Sequence, residues 1–370
     1  MKKSFLLILS LLLILTLASC SNNEVIRIGF VGSLTGGFSD IGVPARNAVQ
    51  LKIEEINENG GINGQDVELI IKDSQGNQDL ALKAFEELYE KDVNAIIGPS
   101  LSGNTLHVLD FINDRELLTI GATITSTRLS GLDDYFLRVS QTNEQESIMH
   151  ANYLIENGYR ELVVVLDYRN EGYTKPWYDN FKEEFTAAGG QVIKEWGYYE
   201  KGEISYDQLA EDIIQTEVKA LLTVTPAMET AMIAQQLYLK GYEHLFMTSG
   251  HAKTEELIMQ GGRAVVGIIS SHAYDNTSKT EELKNFEEDY YNRFSVEPNF
   301  AANYGYDAIN VLMKAIQSVD DISPDNLKTE LLNTEYPGVF GPIEFDKYGD
   351  IQRGYVMYEV IDGEFQVIDD

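Results

Sequence analysis

From residue 25 to about residue 270, short apolar strands alternate with amphipathic helical segments, and this rhythm constrains the fold more than any other feature. The first lap reads as strand 25–31, helix 44–59 closed by Gly60-Gly61, strand 67–72, helix 79–90, strand 95–98, helix 103–114 and strands 117–121 and 135–139. A second lap has strands near 161–166, 191–196, 220–224, 245–247 and 265–270, separated by helices at 143–156, 175–188, 206–216, 228–240 and 254–259. Strands separated by helices cannot pair through tight hairpins, so the pattern predicts parallel sheets with right-handed crossovers. After Ser271 the pattern changes to helices at 280–294, 299–318 and 324–333, then a β section at 343–345, 355–361 and 365–368 with Asp362-Gly363 as its hairpin turn.

A body of about 350 residues is too long for one compact core. Residues 25–370 contain no Pro-rich or Gly/Ser-rich linker. The expected fold class is therefore α/β, with two doubly wound parallel-sheet lobes joined by several short hinge crossovers and a ligand cleft between them.

The chain starts with Lys2-Lys3 and an apolar run over 5–18 interrupted only by Ser10 and Thr16. That layout fits a secretory signal. As a helix the run spans about 21 Å at ~1.5 Å per residue, short of a bilayer core of about 30 Å. It ends in Leu17-Ala18-Ser19-Cys20, which resembles the bacterial lipobox. The expectation is a signal peptide at 1–19, lipid on Cys20 and a polar tether over 20–24; the alternative is a plain secretory signal with an incidental cysteine. Cys20 is the only cysteine, so no intramolecular disulfide is possible and an acylated Cys20 leaves no thiolate for metal binding or nucleophilic catalysis. With 59 acidic against 28 basic residues and a formal charge of −31, nucleic acid is a poor partner, because its binding rests on Lys and Arg neutralising phosphates.

Enzymatic chemistry has little to stand on. The sequence has no His-Glu-x-x-His, no Gly-x-Ser-x-Gly and no phosphate loop ending in Gly-Lys-Ser/Thr. The first loop, Gly32-Ser33-Leu34-Thr35-Gly36-Gly37, lacks dinucleotide-binding spacing. His107, His150, His244, His251 and His272 form no metal-pair spacing. The expectation is a non-enzyme with neither cofactor nor metal.

Several segments, in order, resemble the type I periplasmic binding proteins, in particular the branched-chain amino acid and amide group of ABC-transporter receptors. They are the opening run Ile28-Gly29-Phe30-Val31-Gly32-Ser33-Leu34-Thr35-Gly36, the helix end Asn57-Glu58-Asn59-Gly60-Gly61-Ile62-Asn63-Gly64, and Asp73-Ser74-Gln75. Ile97-Gly98-Pro99 with Ser102-Gly103-Asn104-Thr105, and Gly341-Pro342-Ile343-Glu344-Phe345-Asp346 with Gly349-Asp350, complete the series. The resemblance implies an extracytoplasmic solute receptor for a membrane ABC permease, capturing a small polar solute by lobe closure. It places lobe one at 25–142 plus 274–350 and lobe two at 143–273 plus 351–370.

By the same resemblance, Ser102 and Thr125, with Thr123 beside them, hold a ligand carboxylate at a helix start. Ser102 also suits the N-cap of that helix, and a helix N-terminus favours anions. Phe38 and Ser39 of the first loop, and Tyr168, Glu171 and Tyr173 after the strand ending near Leu166, are further candidate contacts; Arg169 reads as a loop charge. Three positions depart from the amino acid pattern: Glu171 and Pro226 stand where tyrosines are usual, and Gly250 stands where an acid normally pairs with the ligand's ammonium. Glu171 could supply that charge from another wall; otherwise a neutral amide or small carboxylate becomes the better ligand. A sensor module on the same fold is a further alternative.

Overall fold

The computed structural model describes residues 25–200, 202–273 and 280–368. The expected signal peptide, tether and lipidated Cys20 lie outside the described residues.

The first sheet is wholly parallel, with strands β1 (Ile26–Gly32), β2 (Val67–Asp73), β3 (Ala95–Ile97), β4 (Thr119–Gly121) and β5 (Phe136–Arg138) in the order β2-β1-β3-β4-β5. β1 is a nearly unbroken apolar run because it is central, with Ile28 opposite both Leu69 and Ala95 and helices covering both faces. Its crossovers are α1 (Ser39–Glu58), α2 (Gln78–Tyr89) and α3 (Ser102–Asp114). α1 starts five residues earlier than the sequence predicts, so Pro44 sits inside it. A proline there has no N–H for the carbonyl four residues back, and Asn299 Nδ2 donates to that Asp40 carbonyl at 2.9 Å instead.

The second sheet has the order β12-β11-β10-β9-β8-β6-β7. Its parallel strands are β6 (Glu161–Asp167), β7 (Gln191–Tyr198), β8 (Ala220–Val224), β9 (Leu245–Thr248) and β10 (Ile269–His272). Helices α4 (Glu144–Glu156), α5 (Glu171–Ala187), α6 (Tyr206–Gln215), α7 (Ala227–Leu239) and α8 (Glu255–Gly261) accompany them. Residues along β6 alternate between two cores: Val163 and Val165 pack with Ala231 and Leu237, while Val164 and Leu166 pack with Trp177 and Phe181.

The chain then returns to the first sheet. Helices α9 (Glu281–Phe294), α10 (Phe300–Ser318) and α11 (Pro324–Asn333) follow, and Ala308, Leu312 and Leu327 join Ile28, Ile97 and Val49 in its core. The last antiparallel pair, β11 (Val356–Ile361) and β12 (Glu364–Val367), extends the second sheet, and both residues of its predicted turn, Asp362 and Gly363, have positive φ. Two predicted strands are corrected. Residue 265 ends a 3-10 turn and the strand begins at Ile269, while 343–345 makes only an isolated bridge between Ile343 and Tyr336. Pro337 and Pro342 flank that bridge, and neither has an N–H with which to extend it.

Two lobes result, each with its own sheet and core, and loops at the carboxyl ends of their strands converge on one cleft. Gly98, closing β3, shows how tightly this is built: its φ is +126° and a side-chain Cβ there would lie 2.1 Å from the Val31 carbonyl oxygen.

A cleft site between the lobes

A cavity of about 50 Å³ lies in the cleft between the lobes. From the first lobe it is lined by Ile41, Ser100, Ser102, Thr123 and Thr125. The second lobe contributes Glu146, Asn170, Tyr173, Gly250, His251 and His272. Gln141, Phe300, Tyr304 and Tyr355, from the crossover segments and α10, complete the wall. Among the described residues no Lys or Arg lines the cavity.

The first-lobe wall is a row of hydroxyls around the start of α3. Leu101 is the N-cap and makes no side-chain cap bond, so Ser102 is the first helical residue and not the cap. Ser100 Oγ accepts from the Ser33 amide at 2.9 Å, and Thr123 Oγ1 donates to the Ser100 carbonyl at 2.9 Å, which fixes both loops against each other. Thr125 Oγ1 is enclosed and has no hydrogen-bond partner among the described residues. A helix start with hydroxyls beside it can hold an anion.

The second-lobe wall carries an acid. Glu146, in the first turn of α4, is only 3% exposed. Its Oε1 accepts from the Gly250 amide at 2.5 Å and from Ser271 Oγ at 2.9 Å. With Ser271 donating to the carboxylate, His150 Nε2–H donates to Ser271 Oγ at 2.8 Å, and burial holds that imidazole down to about 3, hence neutral. Burial pushes the Glu146 carboxyl up to about 7, against the opposing effect of the Gly250 and Ser271 bonds. His251 lies between Tyr173 and Phe38, with ring centroids 4.7 and 5.9 Å away, and desolvation holds it down to about 4. Desolvation likewise keeps His272, against Phe300 at 4.5 Å, well below its ordinary value.

Of the residues singled out in the sequence, Ser102, Thr123, Thr125 and Tyr173 come together on this cavity. Glu171 is exposed at the start of α5 and is not on the lining. Tyr168 stacks on Tyr199 at 5.0 Å and packs against Gly197, away from the cavity. Ser39 donates from its hydroxyl to the Gly36 carbonyl and lines a separate groove. Phe38 is buried behind the lining, under the guanidinium of Arg169 at 5.3 Å. That arginine, read as a loop charge, pairs with Asp167 and, at 2.5 Å, with Glu229. Pro226 caps α7. Glu146, Asn170, His272, Phe300, Tyr304 and Tyr355 are not legible as site residues in the sequence, because none belongs to a motif and only folding brings them together on the cavity.

The lobes touch across the cleft. Asn170 Oδ1 accepts from the Gly103 amide at 3.0 Å, and Thr254 Oγ1 donates to Asp40 Oδ2 at 3.1 Å. Both bonds join the lobes across the cleft, the arrangement of a closed, hinged binding protein.

Residues 25–364 match the family described as "Periplasmic binding protein", and the chain belongs to that family. Over 345 residues it is 22% identical to a Leu/Ile/Val-binding protein homolog of Brucella abortus, covering 92% of this chain and 91% of that one. Among solved structures, a leucine-binding protein of Thermotoga maritima superimposes with a TM-score of 0.84 at 24% identity, over 93% of this chain and 98% of that one. A solute-binding protein of an R. palustris ABC transporter, in complex with benzoate, gives 0.85 at 16% identity, over 93% and 96%. The protein is thus, by family, a periplasmic binding protein, an extracytoplasmic solute-binding protein. Among the described residues no helix is long and apolar enough to cross a membrane.

Proposed function

We propose that this protein captures a small amino acid or amino acid-like solute in its cleft and delivers it to a membrane ABC permease, held near that permease by lipid on Cys20. The observation that carries the ligand reading is the pairing on one cavity of a hydroxyl-lined helix start with a buried acid on the opposite lobe. Ser102, Thr123 and Thr125 receive the carboxylate in this reading, and Tyr173 walls the site with a flat surface. Ile41, Phe300 and Tyr304 offer apolar surface to a side chain. The lobes divide at 25–142 plus 274–350 and at 143–273 plus 351–370.

A second reading is a small aromatic carboxylate or neutral amide. Rings from Phe300, Tyr304, Tyr355 and His272 favour it, and a structural neighbour holds benzoate. Native mass spectrometry of gently purified protein, followed by thermal shift against amino acids, amides and short acids, separates the two. A ligand at about 100 times its Kd stabilises by ~2.7 kcal/mol, a readily measured shift. If no solute of any class raises the melting temperature, the receptor reading fails. Radiolabelled palmitate appearing on the wild type but not on Cys20→Ala tests the anchor.

A further inference from the structure

We propose that Glu146 is the group that receives the ligand's ammonium, which makes this receptor selective for cationic amines bearing a carboxylate over simple carboxylic acids. The inference deepens the amino acid reading above and rests on it.

Glu146 and Gly250 are two halves of one arrangement. A Cβ built on Gly250 would lie 2.9 Å from Glu146 Oε1 and 2.5 Å from the Ser271 carbonyl oxygen. A side chain at 250 and the Glu146 carboxylate therefore cannot share this corner. Glycine at 250 leaves this wall open to an acid coming from α4, 104 residues earlier in the chain.

The local bonds of Glu146 do not call for its charge. Gly250 N–H and Ser271 Oγ both donate to Oε1, and the amide oxygen of a glutamine would accept both. Around the carboxylate, Trp177 Nε1 and the Tyr173 hydroxyl are buried, outside hydrogen-bond geometry with any atom of the described residues, and favour its charged form. All four groups are uncharged, and among the described residues no Lys or Arg lines the cavity. A carboxylate this deep takes up a proton or meets a cation. On the facing lobe the helix start and the open Thr125 hydroxyl suit an anion. One small molecule satisfies both walls when it carries an ammonium and a carboxylate together.

The test uses the full chain and isothermal titration calorimetry. The proteinogenic L-amino acids are titrated first, then the desamino acid of the tightest binder, the same skeleton with hydrogen in place of the ammonium. The expected result is a desamino acid bound about 100-fold more weakly by the wild type, with that gap nearly closed in Glu146→Gln because the amino acid loses affinity. A second measurement compares proton exchange in the two proteins. Near pH 6.5 the wild type should release more protons than Glu146→Gln as the amino acid binds, since an arriving ammonium ionises a carboxyl held up near 7; any proton taken up at Asp40 on closure is common to both, and the difference is read by repeating the titrations in buffers of different ionisation enthalpy. Equal binding of the two acids, an unchanged gap in a folded Glu146→Gln, or equal proton exchange in the two proteins overturns the proposal. Binding only of simple acids or amides also overturns it while leaving the receptor function standing, whereas binding of no small solute overturns both.

Discussion

The backbone amide of Gly103 donates to Asn170 Oδ1 at 3.0 Å, joining the first turn of α3 in one lobe to the loop before α5 in the other. Gly172 lies directly behind this bond. A Cβ at Gly172 would sit 2.6 Å from Gly103 N and 2.8 Å from Gly103 Cα. Backbone meets backbone here, and only glycine permits the approach.

Gly172→Ala should therefore prop the lobes apart without harming either of them. Gly172 has no positive φ and sits in the first turn of a helix, so alanine is locally favourable by up to ~1 kcal/mol. Thermal stability of the ligand-free protein should hold or rise while ligand affinity falls by more than about tenfold, since closure is coupled to binding. Small-angle scattering with saturating ligand should show a larger radius of gyration than the wild type; an unchanged radius and affinity would refute the contact's role.

The hydroxyl row predicts a loss of binding without loss of fold. Ser102→Ala combined with Thr125→Val removes two donors from the anion end, each worth ~1.5–3 kcal/mol toward a charged group. Affinity should drop by at least about 100-fold. The urea midpoint should stay close to wild type, because Thr125 Oγ1 has no protein partner and Ser102 is not the cap. Unaltered affinity in calorimetry would remove both residues from the site.

Asp40 predicts a pH dependence of closure. Burial pushes its carboxyl up to about 7; the Thr254 bond works against this, and the charges of Glu256 and Glu229 add to it. With the lobes open and Asp40 solvated, its value returns toward ~3.9. The closed form therefore binds the extra proton, and its stabilisation by Asp40 is greatest at low pH and is lost as pH rises toward about 7. The ratio of Asp40→Asn to wild-type affinity should climb across that window and level off above it. A flat ratio between pH 5 and pH 8 (roughly the range in which such groups titrate) would show that Asp40 stays solvated in the complex.

Arg138 and Asp350 predict where the first lobe breaks. The Arg138 side chain is 1% exposed, with Nε donating to Asp350 Oδ1 at 2.7 Å and a second nitrogen donating to the Ser126 carbonyl at 2.7 Å. Asp350→Ala leaves a buried guanidinium without its carboxylate, which costs ~3–5 kcal/mol. Urea unfolding should show a matching loss; less than ~1 kcal/mol would mean that water reaches the arginine.

The rhythm of strands and helices was readable because burial on both faces of a parallel sheet writes itself into consecutive residues, as in Ile26–Gly32. The glycine series was readable for a similar reason: positions such as Gly98 need a backbone that other residues resist. Ser102, Thr123, Thr125 and Tyr173 were found as motifs adjoining strand ends, and the cavity gathers them. Glu171 reads as a candidate second-lobe acid because it is near those motifs in sequence, yet it is exposed at a helix start. Glu146 gave no signal, since an acid in the first turn of a helix is ordinary.

The sequence by itself determined the α/β class, the repetition of one architecture in two lobes and the family, because these rest on patterns within a few residues of chain. Only the tertiary structure decided which acid faces the solute. That choice depends on Glu146 filling space left by Gly250 and on its burial beside Ser271, contacts made by residues more than a hundred positions apart. Burial and electrostatics act through space, so they exist only once the chain has folded.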